Sequence, residues 1–265
     1  MASSPTAPSS LSPVRAVLFD ADHTLLDTSK AERCALRAAL RGQSLRCPPS
    51  TLHAYRAING ELWASYSRGE IDAGSLSRER FRRLLAHLDG DAERGAALSE
   101  AYIDGISQRG DLLPGCRDAL ARLKRRYRLG LVTNGLERVQ RSRLRVARLE
   151  PYFEVVVTSE SCGFAKPDPR ILRVALEALG VGPSEAMYVG DDLRIDGAAA
   201  RAAGMAFVWV DRSGVPAGVD TGGPRVRGLR EVVELLAARP EGMGPWPADY
   251  NPAGLLERKR WTRLS

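Results

Sequence analysis

Two aspartates, Asp20 and Asp22, lie two residues apart at the end of a short apolar run that starts at Val14. Because side chains alternate along an extended backbone, both carboxylates project to the same side of the strand end. Two like charges held this close are costly unless a cation or a proton neutralises one of them. The pair therefore predicts a site for a hard cation, and Mg²⁺, which binds carboxylates and a substrate phosphate, fits it.

Hydrogen-bond donors and a cation follow two later apolar runs. Thr133-Asn134-Gly135 ends one run and offers hydroxyl and amide groups suited to an oxyanion, although turns of this type are common in proteins. Lys166 stands before Pro167, and it is one of only four lysines among 39 basic residues. A lysine in a chain so biased towards arginine is a candidate for a specific role.

A second group of acids, Asp191, Asp192 and Asp196, follows the apolar run 186–190. These carboxylates repeat the logic of the first pair and are further candidate cation ligands. Capping of the next helix is the competing explanation for Asp192.

The elements that must position these side chains alternate in type along the chain. Short apolar runs at 14–20, 129–133, 154–158, 186–190 and 205–210 predict buried strands. Helical patterns at 116–127, 136–148, 169–179, 194–203 and 230–238 separate or follow them. This alternation predicts an α/β fold, a doubly wound parallel sheet with helices on both faces, whose ligand crevice lies at the carboxyl ends of the strands.

The interval between the first two strands is too long for a simple crossover and is helical in pattern. We expect residues 28–109 to form a second, helical domain inserted into a core of residues 14–27 and 110–238, with the return at 110–115. Residues 1–13 are expected to be a disordered leader, and residues 239–265 a tail of unknown role.

Composition narrows the class of protein. The 265 residues are 44% hydrophobic, no apolar run is long enough to cross a bilayer, and the N-terminus lacks the features of a secretory signal. The four cysteines and three histidines show no zinc or disulfide spacing. We expect a cytoplasmic globular protein, monomeric or homodimeric, with no membrane partner.

The positive charge is concentrated in one segment. The net charge is +7, and residues 122–148 hold ten basic side chains against one acidic. Their helical spacing around apolar positions predicts solvated helix faces, so we do not expect a nucleic-acid partner. A catalytically idle basic binding protein is the rival hypothesis.

Four motifs together resemble those of the haloacid dehalogenase superfamily: the acid pair within Asp20-Ala21-Asp22-His23-Thr24, Thr133-Asn134, Lys166-Pro167, and Gly190-Asp191-Asp192 with Asp196. The resemblance implies a Rossmann-like core and Mg²⁺-dependent hydrolysis of a small-molecule phosphomonoester through an aspartyl phosphate. It implies Asp20 as nucleophile and Asp22 as general acid and base. It also implies Thr133 and Lys166 as phosphate holders, and a metal site formed by Asp20, Asp22 and Asp191.

The resemblance implies that the inserted domain, 28–109, is a helical cap that closes over the active site. It is similar to the cap of the bacterial pyrimidine 5'-nucleotidases of this superfamily at 55–59, 62–63, Tyr66, Gly69 and 80–81. This likeness implies a nucleoside 5'-monophosphate as substrate, bound by Tyr55, Asn59 and Trp63 with Asn134 and Gly135. Helical spacing alone favours Leu62, Trp63 and Phe81 as a small core of the cap itself. The alternatives are a sugar phosphate or phosphoglycolate-type phosphatase, or a phosphomutase.

The three histidines are not assigned to the site. If the backbone stays extended after Asp22, His23 points away from both acids. His53 and His87 are interpreted as ordinary helix residues of the cap.

Overall fold

The computed structural model describes residues 13–88, 90–212, 214 and 222–238. Residues 1–12 of the expected leader and the whole of the expected tail, 239–265, lie outside the described residues.

A parallel sheet forms the centre of the described chain and confirms the predicted fold class. Its six strands, in the order β3-β2-β1-β4-β5-β6, all run parallel. The strands are β1 Ala16–Phe19, β2 Arg128–Thr133, β3 Val155–Thr158, β4 Ala186–Gly190, β5 Ala206–Val210 and β6 Arg225–Val226. β6 was not predicted, because two residues are too short to show a periodicity.

Ten α-helices accompany the sheet in the described part of the chain. They are α1 Thr28–Gly42, α2 Pro49–Ser67, α3 Ala73–His87, α4 Gly95–Ser107, α5 Cys116–Leu123, α6 Glu137–Val146, α7 Ser159–Cys162, α8 Arg170–Ala178, α9 Ala198–Ala203 and α10 Leu229–Ala237. The predicted helix 116–127 ends four residues early, at Leu123. The predicted helix 194–203 begins with a π-helical turn, Leu193–Gly197, before α9.

Alternation along the buried strands gives the sheet two apolar faces. Val17 and Phe19 of β1 pack with helices α5, α6 and α10, and Ala16 and Leu18 pack with α8 and α9. All four β1 side chains are fully buried, as expected for a strand covered on both sides.

Helices α1–α4 occupy the interval between β1 and β2 and share an apolar cluster of their own. Phe81, Leu84 and Tyr102 lie at its centre, and Val139 of α6 packs against it from the core. The chain leaves and re-enters the core at neighbouring points, where Leu26 forms a β-bridge with Leu112. Four helices are therefore held over one end of the sheet.

The basic segment 122–148 is mostly solvated, as predicted. Eight of its ten basic side chains are exposed and Arg128 is half-buried. Arg138 pairs with Asp104 and Arg141 with Glu137. Arg143 departs from the prediction because it is fully buried.

Candidate active site

The predicted site residues of the core meet at the carboxyl ends of β1, β2 and β4. Asp20 follows β1, Thr133 ends β2, and Asp191 follows β4. They line a cavity of about 290 Å³ that the cap helices close from the other side. These residues are far apart in the sequence, but the parallel strands that carry them end at the same edge of the sheet.

Lys166 is the charged centre of this edge. Its side chain is 2% exposed, and Nζ donates to Asp20 Oδ1 at 2.6 Å, to Asp196 Oδ1 at 2.8 Å and to the Tyr188 hydroxyl at 2.8 Å. Burial alone would lower the pKa of Lys166, but the Asp196 and Asp20 carboxylates raise it well above its usual range. The ammonium is therefore charged and fixed in direction.

Asn134 holds the loop that carries this lysine. Asn134 Oδ1 accepts from the Lys166 amide at 2.7 Å, and Asn134 Nδ2 donates to the Lys166 carbonyl at 2.8 Å. The two reciprocal bonds tie the end of β2 to the lysine loop. Asn134 and Gly135 also line the cavity.

Thr133 presents a hydroxyl to the same cavity. Its Oγ1 accepts from the Gly135 amide at 3.0 Å and from Gln140 Nε2 at 3.4 Å. A hydroxyl that accepts two bonds keeps its own hydrogen available for an anion.

Asp196 anchors the loop after β4. Its Oδ2 accepts from the backbone amides of Asp191 and Asp192, both at 3.1 Å. A Cβ at Gly190 would overlap the Asp196 carboxylate, so only glycine permits this approach. Asp192 caps the next helical turn through the Arg194 and Ile195 amides, which confirms the structural alternative for that residue.

Carboxylates are crowded at this edge. Oxygens of Asp20, Asp191 and Asp196 all lie within 4.8 Å of one another. Burial raises the pKa of Asp20, and the neighbouring acids raise it further, although Lys166 opposes the shift. Burial, followed by the Asp196 charge, raises the pKa of Asp191 to about 6. An all-oxygen set of carboxylates fits Mg²⁺, which would relieve this repulsion.

The Asp22 carboxylate is held apart from this acidic group. Oδ1 accepts from Arg143 Nη1 at 2.6 Å and from the Thr28 hydroxyl, and Oδ2 accepts from Gln140 Nε2. Burial alone would raise the pKa of Asp22, but Arg143 and the Thr28 hydroxyl hold it below its usual value. The metal site at Asp20, Asp22 and Asp191 stays a prediction: the Asp22 carboxylate is turned towards Arg143 and Thr28, and the side-chain oxygens that cluster are those of Asp20, Asp191 and Asp196.

Arg143 and Gln140 are functional candidates that the sequence interpretation missed. Both are buried on the inner face of α6, where Val139 and Leu144 also point inward. Arg143 lies four residues after Val139 and Gln140 lies four residues before Leu144, and this helical spacing was the available signal. The surrounding arginines made the segment look uniformly solvated.

His23 also lines the cavity, contrary to the expected direction of its side chain. The expectation assumed an extended backbone, whereas His23 has a φ of 61°. This left-handed conformation turns the chain at the strand end. His53 and His87 are exposed helix residues, as predicted.

The cap supplies the opposite wall of the cavity. Asn59 and Trp63 of α2 line it, as predicted, together with Arg80 of α3. Tyr55 does not line it: its side chain is fully buried in the cap core, and its hydroxyl donates to that of Tyr102 at 2.6 Å. Its assignment to substrate is corrected, because helical spacing places it one turn before Asn59, against Phe81 and Tyr102.

A second set of contacts joins cap and core beside the cavity. The Tyr66 hydroxyl is 2.8 Å from Ser159 Oγ, and Ser159 Oγ donates to the Asn134 carbonyl at 3.1 Å. The cap is thus tied to the residue that clamps the lysine loop.

Comparisons with a family model, with known sequences and with solved structures agree on one family of hydrolases. Residues 14–204 match the family model of haloacid dehalogenase-like hydrolases. The HAD-hydrolase YfnB of Bacillus subtilis is 30% identical over 84% of this chain and 95% of that protein. Its magnesium-bound crystal structure superposes with a TM-score of 0.77 over 85% of this chain and 99% of that one, at 28% identity.

Two further relatives carry named activities. The phosphoserine phosphatase of Thermus thermophilus is 40% identical over 64% of this chain and 71% of that protein. The pyrimidine 5'-nucleotidase PynA of Streptococcus pneumoniae is 32% identical over 73% of this chain and 82% of that protein. Among the described residues, no helix is both long and apolar enough to span a bilayer.

Proposed function

We propose that this chain, which belongs to the haloacid dehalogenase-like hydrolase family, hydrolyses a small phosphomonoester with Asp20 as the nucleophile. The observation that carries the proposal is the contact of Lys166 Nζ with Asp20 Oδ1, 2.6 Å long and buried at the rim of the cavity. A buried lysine directs the carboxylate and offsets the repulsion between it and an incoming phosphate.

The reaction proceeds in two displacements at phosphorus. An Asp20 oxygen forms a bond to phosphorus as the ester P–O bond breaks, and the leaving oxygen takes a proton. Water then attacks the aspartyl phosphate, the P–O bond to Asp20 breaks, and inorganic phosphate leaves. The carboxylate of Asp20 is regenerated.

Asp22 is the candidate for proton transfer in both steps, giving a proton to the leaving alcohol and accepting one from water. Arg143 keeps the Asp22 carboxylate ionised in the described arrangement, which suits the second step. An alkyl ester needs the proton in the first step, so that step requires Asp22 to loosen its contact with Arg143.

Charge on the transferring group is balanced from two sides. The Thr133 hydroxyl would donate to a phosphoryl oxygen, and Lys166, whose three N–H groups are bonded to Asp20, Asp196 and Tyr188, would supply its positive charge. Asp20, Asp191 and Asp196 would hold Mg²⁺, as their shared carboxylate cluster supports. The ion would supply charge neutralisation and orientation of the phosphate.

A nucleoside 5'-monophosphate is the substrate class that we propose within this activity. Trp63 offers an aromatic side chain in the cap wall, and PynA is a relative with that activity. A phosphorylated amino acid is the second candidate substrate class, because one relative is a phosphoserine phosphatase.

The experiment is phosphate release from phenyl phosphate and UMP with and without Mg²⁺, in the wild type and Asp20→Asn. We expect Asp20→Asn to lose about 10³-fold or more in kcat, because an amide does not form the covalent intermediate. Asp118→Asn changes an exposed acid of α5 and is the matched control. Retained turnover in Asp20→Asn would remove Asp20 from the nucleophile role.

A further inference from the structure

The cap wall contains a buried guanidinium that the proposed chemistry does not use. Arg80 is 3% exposed and lines the same cavity as Asp20. Its Cζ lies 5.9 Å from the centre of the Trp63 ring and 5.5 Å from that of Tyr102. The charge is therefore held between aromatic side chains and out of bulk water.

One edge of this guanidinium has no partner in the part of the chain that the structure describes. Arg80 interacts with the Tyr55 hydroxyl, but Nε and Nη2 find no hydrogen-bond acceptor among the described residues. These two N–H groups lie side by side and point the same way, which is the geometry that binds two adjacent acceptors at once. Burying them unpaired costs free energy, so the stability of the cap gives no reason for them.

Asn59 adds a free acceptor to the same wall. Its Nδ2 donates to Glu32 Oε1 at 3.0 Å, whereas its Oδ1 is buried without a partner among the described residues. Asn59 also lines the cavity. The cap wall therefore offers two parallel donors and one acceptor that folding leaves unused.

We propose that Arg80 and Asn59 form the subsite for the leaving group of the substrate. Arg80 donates through Nε and Nη2 to two adjacent acceptor atoms of that group, and Asn59 Oδ1 accepts from an N–H beside them. The assignment rests on the proposed function, because it places a leaving group opposite Asp20.

Two kinds of leaving group carry this pattern. Cytosine presents O2 and N3 as adjacent acceptors and its 4-amino group as the neighbouring donor. A phosphorylated amino acid presents a carboxylate and an ammonium. Uracil differs in one respect that matters, because its N3–H would face the donors of Arg80.

The test compares kcat/KM for CMP, UMP and O-phosphoserine with that for phenyl phosphate, whose ring has no hydrogen-bonding groups. In Arg80→Lys, which keeps the charge and loses the fork, we expect the ratio for CMP or for O-phosphoserine to fall about tenfold or more. A fall in relative kcat/KM that is confined to CMP, with a smaller difference in kcat/KM between CMP and UMP, identifies the base as the bound group. A fall confined to O-phosphoserine identifies the carboxylate.

Arg83→Lys is the matched control, because Arg83 lies one turn along the same helix and is exposed to solvent. Calorimetric binding of CMP and O-phosphoserine to Asp20→Asn, with and without Arg80→Lys, gives a readout independent of turnover. Loss of binding with Arg80→Lys supports the subsite even if Asp20 has another role. Unchanged ratios and unchanged binding would overturn it.

Thermal unfolding of Arg80→Met separates a binding role from a structural one. Methionine fills similar volume and removes two unpaired buried donors, so we expect a midpoint equal to or above that of the wild type. A clear fall in the midpoint would show that Arg80 holds the cap together, and would overturn the subsite.

Discussion

The two walls of the cavity differ in how they satisfy their buried cations, although Gln140 Oε1 on the core wall also lacks a partner among the described residues. On the core wall, Lys166 and Arg143 are each bonded to carboxylates and further oxygens. On the cap wall, Arg80 and Asn59 retain unpartnered atoms within the described chain. A cation that is paired before substrate arrives is preorganised for chemistry, and a cation with unpaired donors is poised for recognition.

The strongest test of this comparison is Lys166→Met. The change leaves the buried Asp20 and Asp196 carboxylates without their shared cation, so we expect the free energy of unfolding to fall by about 3 kcal/mol. Turnover of phenyl phosphate should fall by about 10³-fold, since the nucleophile and phosphate lose their common partner. Chemical denaturation and steady-state kinetics measure the two effects. If Lys166→Met unfolded with the same free energy as the wild type, the pairing of Lys166 with the two carboxylates would not stabilise the core wall.

A second test compares two arginines of α6. Arg143→Met breaks a buried pair with Asp22, and we expect a loss of about 2 kcal/mol in unfolding free energy. Arg141→Met removes an exposed arginine paired with Glu137 and should cost less than about 0.5 kcal/mol. Equal losses in urea denaturation would mean that burial of Arg143 does not matter.

The smallest expected effect lies in the cap core. Tyr55→Phe or Tyr102→Phe alone removes half of a buried hydroxyl pair and should cost about 1 kcal/mol. The double substitution should cost less than the sum, because neither change then leaves the other hydroxyl unpaired. Additive losses in a double-mutant cycle would show that the 2.6 Å contact contributes nothing.

Much of the core wall could be predicted from the sequence because strand ends mark it. Asp20, Thr133 and Asp191 each follow a buried apolar run, and a parallel sheet brings such ends together whatever their distance in the chain. No knowledge of side-chain contacts was needed for that placement.

Residues on helices were harder to assign. Arg143 shares its segment with exposed arginines, and one inward position among many outward ones is invisible to composition. Tyr55 and Asn59 are one turn apart on α2, yet Tyr55 packs into the cap core and Asn59 lines the cavity. Periodicity identifies the inner face of a helix, but tertiary packing decides which part of that face meets a cavity.

The bridge between Leu26 and Leu112 has a consequence for how such proteins diversify. The two segments that connect the cap to the core lie side by side, and the Leu113 amide donates to the Leu25 carbonyl. A different set of helices could replace the cap at this connection without changing the pairing of any strand in the sheet. Under the proposed subsite, such an exchange would change the choice of substrate and leave the core residues around Asp20 as they are.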